Sequence, residues 1–192
     1  MNKKLLAMGL LLSMTAGSAM AAANSGTTIG TGATLAVTGT VGTSTCSVTF
    51  PQSVAMPSVT TAMYNATQQL NAMAQQPAGN IQFSGCSGQS VNLKVLASNV
   101  AAVSGNKKVA YPKLNNKGQG WLGLSFAVST DGGSVFKYLN LDNSPSDPIS
   151  VTSDTFAIPV RIDAVKMLAN NNASDIGQGN YSSSFVVTAT YA

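Results

Sequence analysis

The sequence contains no histidine and no glutamate, and only 8% of its residues are charged. Without histidine, the Ser-His-Asp and Cys-His arrangements that activate nucleophiles cannot form, and histidine-ligated metal sites are excluded. Asp142 and Asp147 are the two acids closest in sequence, but a turn-forming loop accounts for them better than an acid-base pair, and their spacing matches no calcium loop. We therefore predict no catalytic residues, no metal ligands and no enzymatic activity.

Long hydrophobic runs are also missing. The run Leu5–Leu12 is well short of the roughly 20 residues that cross a bilayer. It follows Lys3 and Lys4 and precedes small residues that end at Ala21, which is the three-part pattern of a secretory signal peptide. We expect residues 1–21 to be removed, with cleavage after Ala23 as the alternative. About 170 residues then remain, enough for one exported domain.

Cysteine occurs only twice, at Cys46 and Cys86. An even count in an exported chain predicts a disulfide between them. A redox or metal-binding thiol pair is the alternative, but CxxC spacing and a histidine partner are both missing. The disulfide is therefore the favoured interpretation.

Two further patterns could indicate a ligand. The segment Gly118–Gly123, "GQGWLG", formally fits the dinucleotide fingerprint, which requires a strand before it and a helix after it. A polar segment precedes it and a strand-like one comes after it, so we predict no cofactor. The second pattern is a cluster of four lysines with two aromatic neighbours: Lys107, Lys108, Lys113, Lys117, Tyr111 and Trp121. It could be a binding patch for an acidic glycan or a nucleic acid. We favour the alternative, a solvated loop. We predict no nucleic-acid partner.

Apolar and polar residues alternate with period two over much of the chain, which predicts strands. The predicted strands are 27–41, 46–50, 80–86, 91–98, 120–130, 134–141, 155–165 and the end of the chain after Gly179. Asp131-Gly132-Gly133 predicts a hairpin turn, and Pro159 is expected near a sheet edge or a bulge. Residues 52–79 are expected to be a loop, with a short helix as the alternative on the spacing of Ala62, Ala66, Leu70 and Met73. This pattern predicts an all-β, immunoglobulin-like sandwich.

The two ends of the exported chain do not fit a closed domain. The chain finishes on a strand with no successor, and a final strand with an open edge would aggregate unless it were covered. An alternating segment from another copy could cover it by strand addition. The N-terminal residues with the required parity are Ile29, Thr31, Ala33, Leu35 and Val37.

Taken together, these features resemble the pilin subunits of chaperone-usher fimbriae. The resemblance rests on the signal peptide, the alternating N-terminal segment, the cysteine pair and the late Ile-Pro strand "AIPVRIDA". Its most specific part is the end of the chain, where Gly179 stands fourteenth from the terminus and Tyr191 is penultimate. The family usually places a glycine in phase with the apolar donor residues. The small in-phase residues here are Ala33 and Gly39, so the donor register is open by one step.

The resemblance implies an incomplete immunoglobulin-like sandwich that lacks its final strand and is completed by donor-strand complementation. Residues 22–45 would be the donor-strand extension and 46–192 the pilin domain. The expected partners are other pilin subunits, a periplasmic chaperone and an outer-membrane usher. The subunit would pass through the periplasm to a fimbria on the bacterial surface. The residues expected to form the acceptor groove and to contact the chaperone are Gly179, Phe185, Val187, Ala189, Tyr191 and Ala192.

This resemblance is compatible with two functions. The first is a structural subunit that polymerises by donor-strand exchange and supports cell adhesion. The second is an adhesin or adaptor that binds a host glycan or protein, with Trp121, Tyr111 and the lysine loop as the candidate patch. Tip adhesins of the family usually carry an extra N-terminal lectin domain and lack a donor strand, so we favour the structural subunit.

Overall fold

The computed structural model describes residues 46–98, 106–114, 120–170, 177 and 179–192. The predicted signal peptide, the predicted donor segment and Lys117 lie outside these residues. The described chain forms short strands and one helix, and its elements are β1 (Ser47–Thr49), α1 (Thr61–Ala66), β2 (Ala72–Ser84), β3 (Ser90–Ala97), β4 (Lys113–Leu114), β5 (Leu122–Val128), β6 (Lys137–Tyr138), β7 (Asp142–Pro145), β8 (Ile149–Ser150), β9 (Thr155–Lys166), β10 (Tyr181–Ser182) and β11 (Phe185–Tyr191). Within this part of the chain, no helix is long and apolar enough to cross a membrane.

Two antiparallel sheets enclose the core. The first sheet has the strand order β1-β2-β9-β5-β6, and the second has the order β11-β3-β7, with β8 also paired to β3. A short β10-β4 pair lies apart from them. Every second residue of β3 is buried, which is the alternation expected of a sheet that faces water on one side. In β9 the alternation holds as far as Ile162, and the last five residues, Ile162–Lys166, are all buried. The prediction of an all-β sandwich is confirmed.

The final strand, β11, has a partner on one side only. It pairs with β3 over its whole length, from Phe185 opposite Ala97 to Tyr191 opposite Val91. No other strand of the described residues pairs with it. The last strand is therefore an edge strand.

The alternative helix does form, as α1, but it is shorter than its apolar spacing suggested. Thr60 caps α1, because its side-chain oxygen accepts a hydrogen bond from the backbone N–H of Met63 at 3.2 Å. The helix ends at Ala66, and Leu70 adopts a positive φ of 64°, which a helix cannot contain. Met73 belongs to β2.

Part of the expected loop at 52–79 is strand, and that expectation is wrong from Ala72 onward. The strand β2 begins there, and its pairing with β9 shifts register between Ala72 and Ala74 and again between Pro77 and Gly79. Each shift adds a residue to one strand and reverses the parity of the residues after it. Simple alternation therefore fails to reveal this half of β2.

The expectation of an edge position for Pro159 is also wrong, whereas the expectation of a bulge is confirmed. Its strand, β9, lies between β2 and β5. The ladder with β5 stops at the pair Val128 and Val160, and the Pro159 carbonyl accepts one further bond from the Ser129 N–H at 3.0 Å. The nitrogen of Pro159, which has no hydrogen to donate, also faces β5, just past the end of that ladder, so no ladder bond is lost. On the other side of β9, the register shift of β2 between Pro77 and Gly79 lies next to Pro159.

The hairpin predicted at Asp131-Gly132-Gly133 is confirmed, with a larger loop and a shorter second strand. The strands β5 and β6 pair antiparallel, but β6 contains only Lys137 and Tyr138. The Asp131 carboxylate accepts hydrogen bonds from the backbone N–H groups of Ser134 and Val135 at 3.1 and 3.0 Å. Both glycines have positive φ, which permits this turn.

The predicted disulfide is present. It joins Cys46, directly before β1, to Cys86, which lies after the end of β2. Because β1 pairs with the end of β2, the bond fixes the first residues of the described domain to the sheet.

Replacing both cysteines by serine should lower the free energy of unfolding by about 4 kcal/mol, because the unfolded chain loses the restriction of a closed loop of this length. Guanidinium unfolding measures the change, and wild-type protein unfolded with reductant is the control, which should match the double variant. A difference below about 1 kcal/mol would contradict a stabilising role for the bond.

Candidate functional site

A groove of about 910 Å³ runs along the side of the domain beside β11. Residues 51–61 form its first wall, and residues 179–187 form its second wall. Its floor consists of side chains from the inner face of the first sheet, each no more than 4% exposed: Trp121, Leu124, Phe126, Val160 and Ile162. The groove therefore opens directly onto the hydrophobic core.

The second wall contains the start of β11. Phe185 and Val187 are partly buried and line the groove, and the Phe185 ring contacts Phe126 edge-on, with ring centroids 5.7 Å apart. Val186, between them, points outward and is 62% exposed. Because β11 has a hydrogen-bonding partner only on the β3 side among the described strands, its other edge can pair with a further strand.

The structure places the predicted C-terminal site residues in two groups. Gly179, Phe185 and Val187 line the groove. Ala189 packs against the core outside it, and Tyr191 is 56% exposed. At the end of the chain, the Ala192 N–H donates to the Ser90 carbonyl at 2.9 Å, which extends the pairing with β3.

Sequence reasoning missed the first wall, because two prolines interrupt it and it forms no strand. Its apolar side chains nevertheless pack against the core, and they are Val54, Met56 and Val59. The alternation of Val54 and Met56 with exposed neighbours was the signal that could have revealed it. The wall continues into α1 at Thr61.

A buried lysine fixes the end of the first wall. The Lys166 ammonium donates to the Tyr64 carbonyl at 3.0 Å and to the Thr67 carbonyl at 2.9 Å, which satisfies two acceptors at the C-terminal end of α1. It also lies 4.4 Å from the centroid of the Tyr64 ring. That ring meets Trp121 on the groove floor edge-on at 5.8 Å. The cluster ties the helix to the first sheet.

One side chain reaches across the groove. The hydroxyl of Tyr181, on the second wall, donates to the carbonyl of Pro57, on the first wall, at 2.9 Å. Partial burial raises the pKa of the Tyr181 hydroxyl above its ordinary value, so the proton needed for this bond is retained at neutral pH.

The lysine and aromatic residues do not form the binding patch that we considered as the alternative to a solvated loop. Trp121 is 4% exposed and belongs to the groove floor, so it cannot serve as an exposed stacking surface. Tyr111 packs beside a small cluster on another part of the first sheet. Lys108 and Lys113 are exposed, whereas Lys107 forms an ion pair with Asp142 at 2.8 Å.

The same ion pair bears on whether Asp142, considered above with Asp147 as an acid-base pair, could act as an acid. The hydrogen bond from Lys107, together with a smaller effect of that from Ser144, holds the pKa of Asp142 well below its ordinary value, and the hydrogen bond to Asp142 raises the pKa of Lys107. A carboxyl group so strongly biased toward its ionised form is a poor general acid. In the described part of the chain, no three His, Cys, Asp or Glu side chains cluster as a metal site would require.

The glycine-rich segment leads into a strand, as we expected, and not into a helix. Gly123 lies in β5, where an added Cβ would come within 2.2 Å of the Val109 Cγ1 and 2.7 Å of the Met167 Sδ. Close packing of neighbouring chain segments therefore explains this glycine.

No protein-family model matches this chain, and no curated protein matches it in sequence. Solved structures do match. The P pilus rod subunit PapA aligns at 16% identity over 77% of this chain and 99% of the PapA chain, with a TM-score of 0.51. A second match comes from a structure of a chaperone-usher pilus that was solved to explain rod uncoiling. It aligns at 17% identity over 85% of this chain and 97% of the matched chain, with a TM-score of 0.52. The chain therefore has the incomplete immunoglobulin-like fold of chaperone-usher pilins, which confirms the fold prediction.

Replacing Lys166 by methionine should lower the free energy of unfolding by about 2 kcal/mol, because the Thr67 carbonyl loses its donor and the Tyr64 carbonyl keeps only the Thr67 N–H at 3.3 Å. Denaturant unfolding measures the loss. The exposed Lys137→Met is the matched control and should stay within about 0.5 kcal/mol of wild type. Equal effects of the two substitutions would show that the buried ammonium does not hold the helix.

Proposed function

We propose that this protein is a structural subunit of a surface fimbria, assembled through the chaperone-usher pathway by donor-strand exchange, and that it has no enzymatic activity. The observation that carries the proposal is the edge of β11, unpaired among the described strands, beside a groove whose floor is the hydrophobic core. A strand that enters the groove would satisfy the backbone groups of that edge and cover the partly exposed apolar side chains of the two walls, which include Met56, Phe185 and Val187.

The donor is the alternating segment of a neighbouring copy, with Ile29, Thr31, Ala33, Leu35 and Val37 directed into the groove. Nine residues span about 30 Å as a strand, so residues 29–37 are long enough to lie beside the nine residues 179–187 of the second wall. The apolar side chains on one face of the segment would contact the apolar floor of the groove. Residues 22–45 therefore act as the donor extension, and residues 46–192 form the domain that accepts a strand.

The groove also gives a reason for the two assembly partners, a periplasmic chaperone and an outer-membrane usher. Because an empty groove leaves the edge of β11 open and the apolar side chains of its walls partly exposed, a periplasmic chaperone occupies it before assembly, and an outer-membrane usher exchanges the chaperone for the next subunit. Both structural neighbours belong to pili, one of them named as a chaperone-usher pilus. The chaperone contacts the C-terminal segment from Gly179 to Ala192. The assembled protein lies outside the cell, in the fimbria.

Single aspartate substitutions should separate donation from acceptance. Leu35→Asp places a charge on the face that enters the groove, and Val187→Asp places one on the groove wall. Either change should reduce SDS-resistant, heat-sensitive multimers more than about tenfold, because burial of an unpaired carboxylate is strongly unfavourable. Gel electrophoresis without boiling measures the multimers. The matched controls are Thr34→Asp, of the opposite parity, and Val186→Asp, at a side chain 62% exposed; both should polymerise as wild type does.

Mixing the two defective proteins makes the test specific. The Val187→Asp chain can still donate and the Leu35→Asp chain can still accept, so the mixture should form a heterodimer that grows no further. General misfolding would yield no heterodimer. Normal multimer growth by the Leu35→Asp protein alone would overturn the proposed function.

A further inference from the structure

We infer that Tyr181 is a positioning residue of the groove: its hydrogen bond to Pro57 holds the first wall at the separation that admits a strand. This inference rests on the proposed function, since it assigns a role in strand acceptance. It concerns the state of the groove before a strand is bound.

The first wall has few other constraints. Among the described residues, the Tyr181 hydroxyl makes the one hydrogen bond that links residues 51–59 to the rest of the chain. The wall is otherwise held by its covalent ends and by apolar packing of Val54, Met56 and Val59. The N-terminal end of the wall follows the Cys46–Cys86 disulfide closely, and its C-terminal end is fixed by α1, so the middle of the wall is the part least restrained.

Tyr181 is well placed to constrain that middle part. Its own backbone is fixed by the β10-β4 pair, in which Tyr181 lies opposite Leu114. Its ring packs against the core, and its hydroxyl lies 2.9 Å from the carbonyl oxygen of Pro57. The proline ring restricts φ at the accepting residue, which removes one of the two backbone rotations that could move its carbonyl. The two walls are thereby joined through a rigid side chain.

A wall that is already in place costs an incoming strand less ordering than a wall that must be arranged during binding. Removal of the hydroxyl should therefore weaken strand binding without changing the shape of the groove floor. A single partly exposed hydrogen bond corresponds to about a threefold change in an equilibrium constant.

The test uses the full chain carrying Leu35→Asp, so that it does not donate to itself, and a synthetic peptide of residues 27–41 as the strand. The sole tryptophan of the chain, Trp121, lies in the groove floor, so its fluorescence reports occupancy directly. Adding Tyr181→Phe should weaken peptide binding about threefold through slower association, because fewer molecules have the first wall already in place. The matched control is Tyr138→Phe, which removes a tyrosine hydroxyl bonded to Asp163, away from the groove; peptide affinity should be unchanged.

A second measurement examines the wall without any peptide. Limited proteolysis followed by mass spectrometry should show cleavage within residues 52–60 about threefold faster in Tyr181→Phe than in the parent chain, and unchanged in Tyr138→Phe. Cleavage that rises equally throughout the chain would mean a general loss of stability and would overturn the inference.

The outcomes distinguish the positioning role from the proposed function. If the parent chain binds the peptide and Tyr181→Phe binds equally well with unchanged cleavage, the positioning role is wrong and the proposed function stands. If the parent chain gives no fluorescence change and wild-type protein forms no multimers, the proposed function fails, and with it the role of Tyr181 in strand acceptance. Weaker binding together with faster cleavage confined to the first wall supports the inference.

Discussion

Among the described strands, β11 pairs on one side only, and the surroundings of its other edge are organised around that constraint. A strand in the interior of a sheet has both edges paired, but β11 has β3 as its sole partner among the described residues. The groove beside it opens onto Leu124, Phe126 and other core side chains. The groove therefore brings together the open edge of β11 and the partly exposed apolar side chains of its walls, and a single added strand would cover both.

A groove of this kind requires that its surroundings resist collapse, because exposed apolar surfaces otherwise close on each other. The contacts that surround it provide this resistance. The Cys46–Cys86 disulfide fixes one end of the first wall to β2, and the buried Lys166 fixes the other end by holding α1. Between these ends, the Tyr181 hydroxyl joins the walls. A disulfide and hydrogen bonds thus replace the packing that a complete sandwich would supply.

The regular strands could be predicted because their alternation is uninterrupted. In β3, Val91, Leu93 and Val95 are buried at the positions where the period-two pattern placed them. The first half of β2 could not be predicted in the same way, because the register shifts beside Ala72 and Pro77 change which face each residue occupies. The interpretation of Trp121 failed for a related reason. Trp121 follows the lysine cluster closely in sequence, which suggested the alternative binding patch, whereas its side chain is buried in the core.

The sequence by itself determined the all-β class, the disulfide, the exclusion of histidine-dependent chemistry and the two alternating ends, since each depends on residue type or on local period. Tertiary structure decided which strand lies beside which, and hence where the groove is. It also decided that Lys166 is buried and that Tyr181 meets Pro57, a contact between residues far apart in the chain. Alternation specifies the face on which a side chain lies but not the neighbour it meets, because pairing is chosen by packing of the whole sheet.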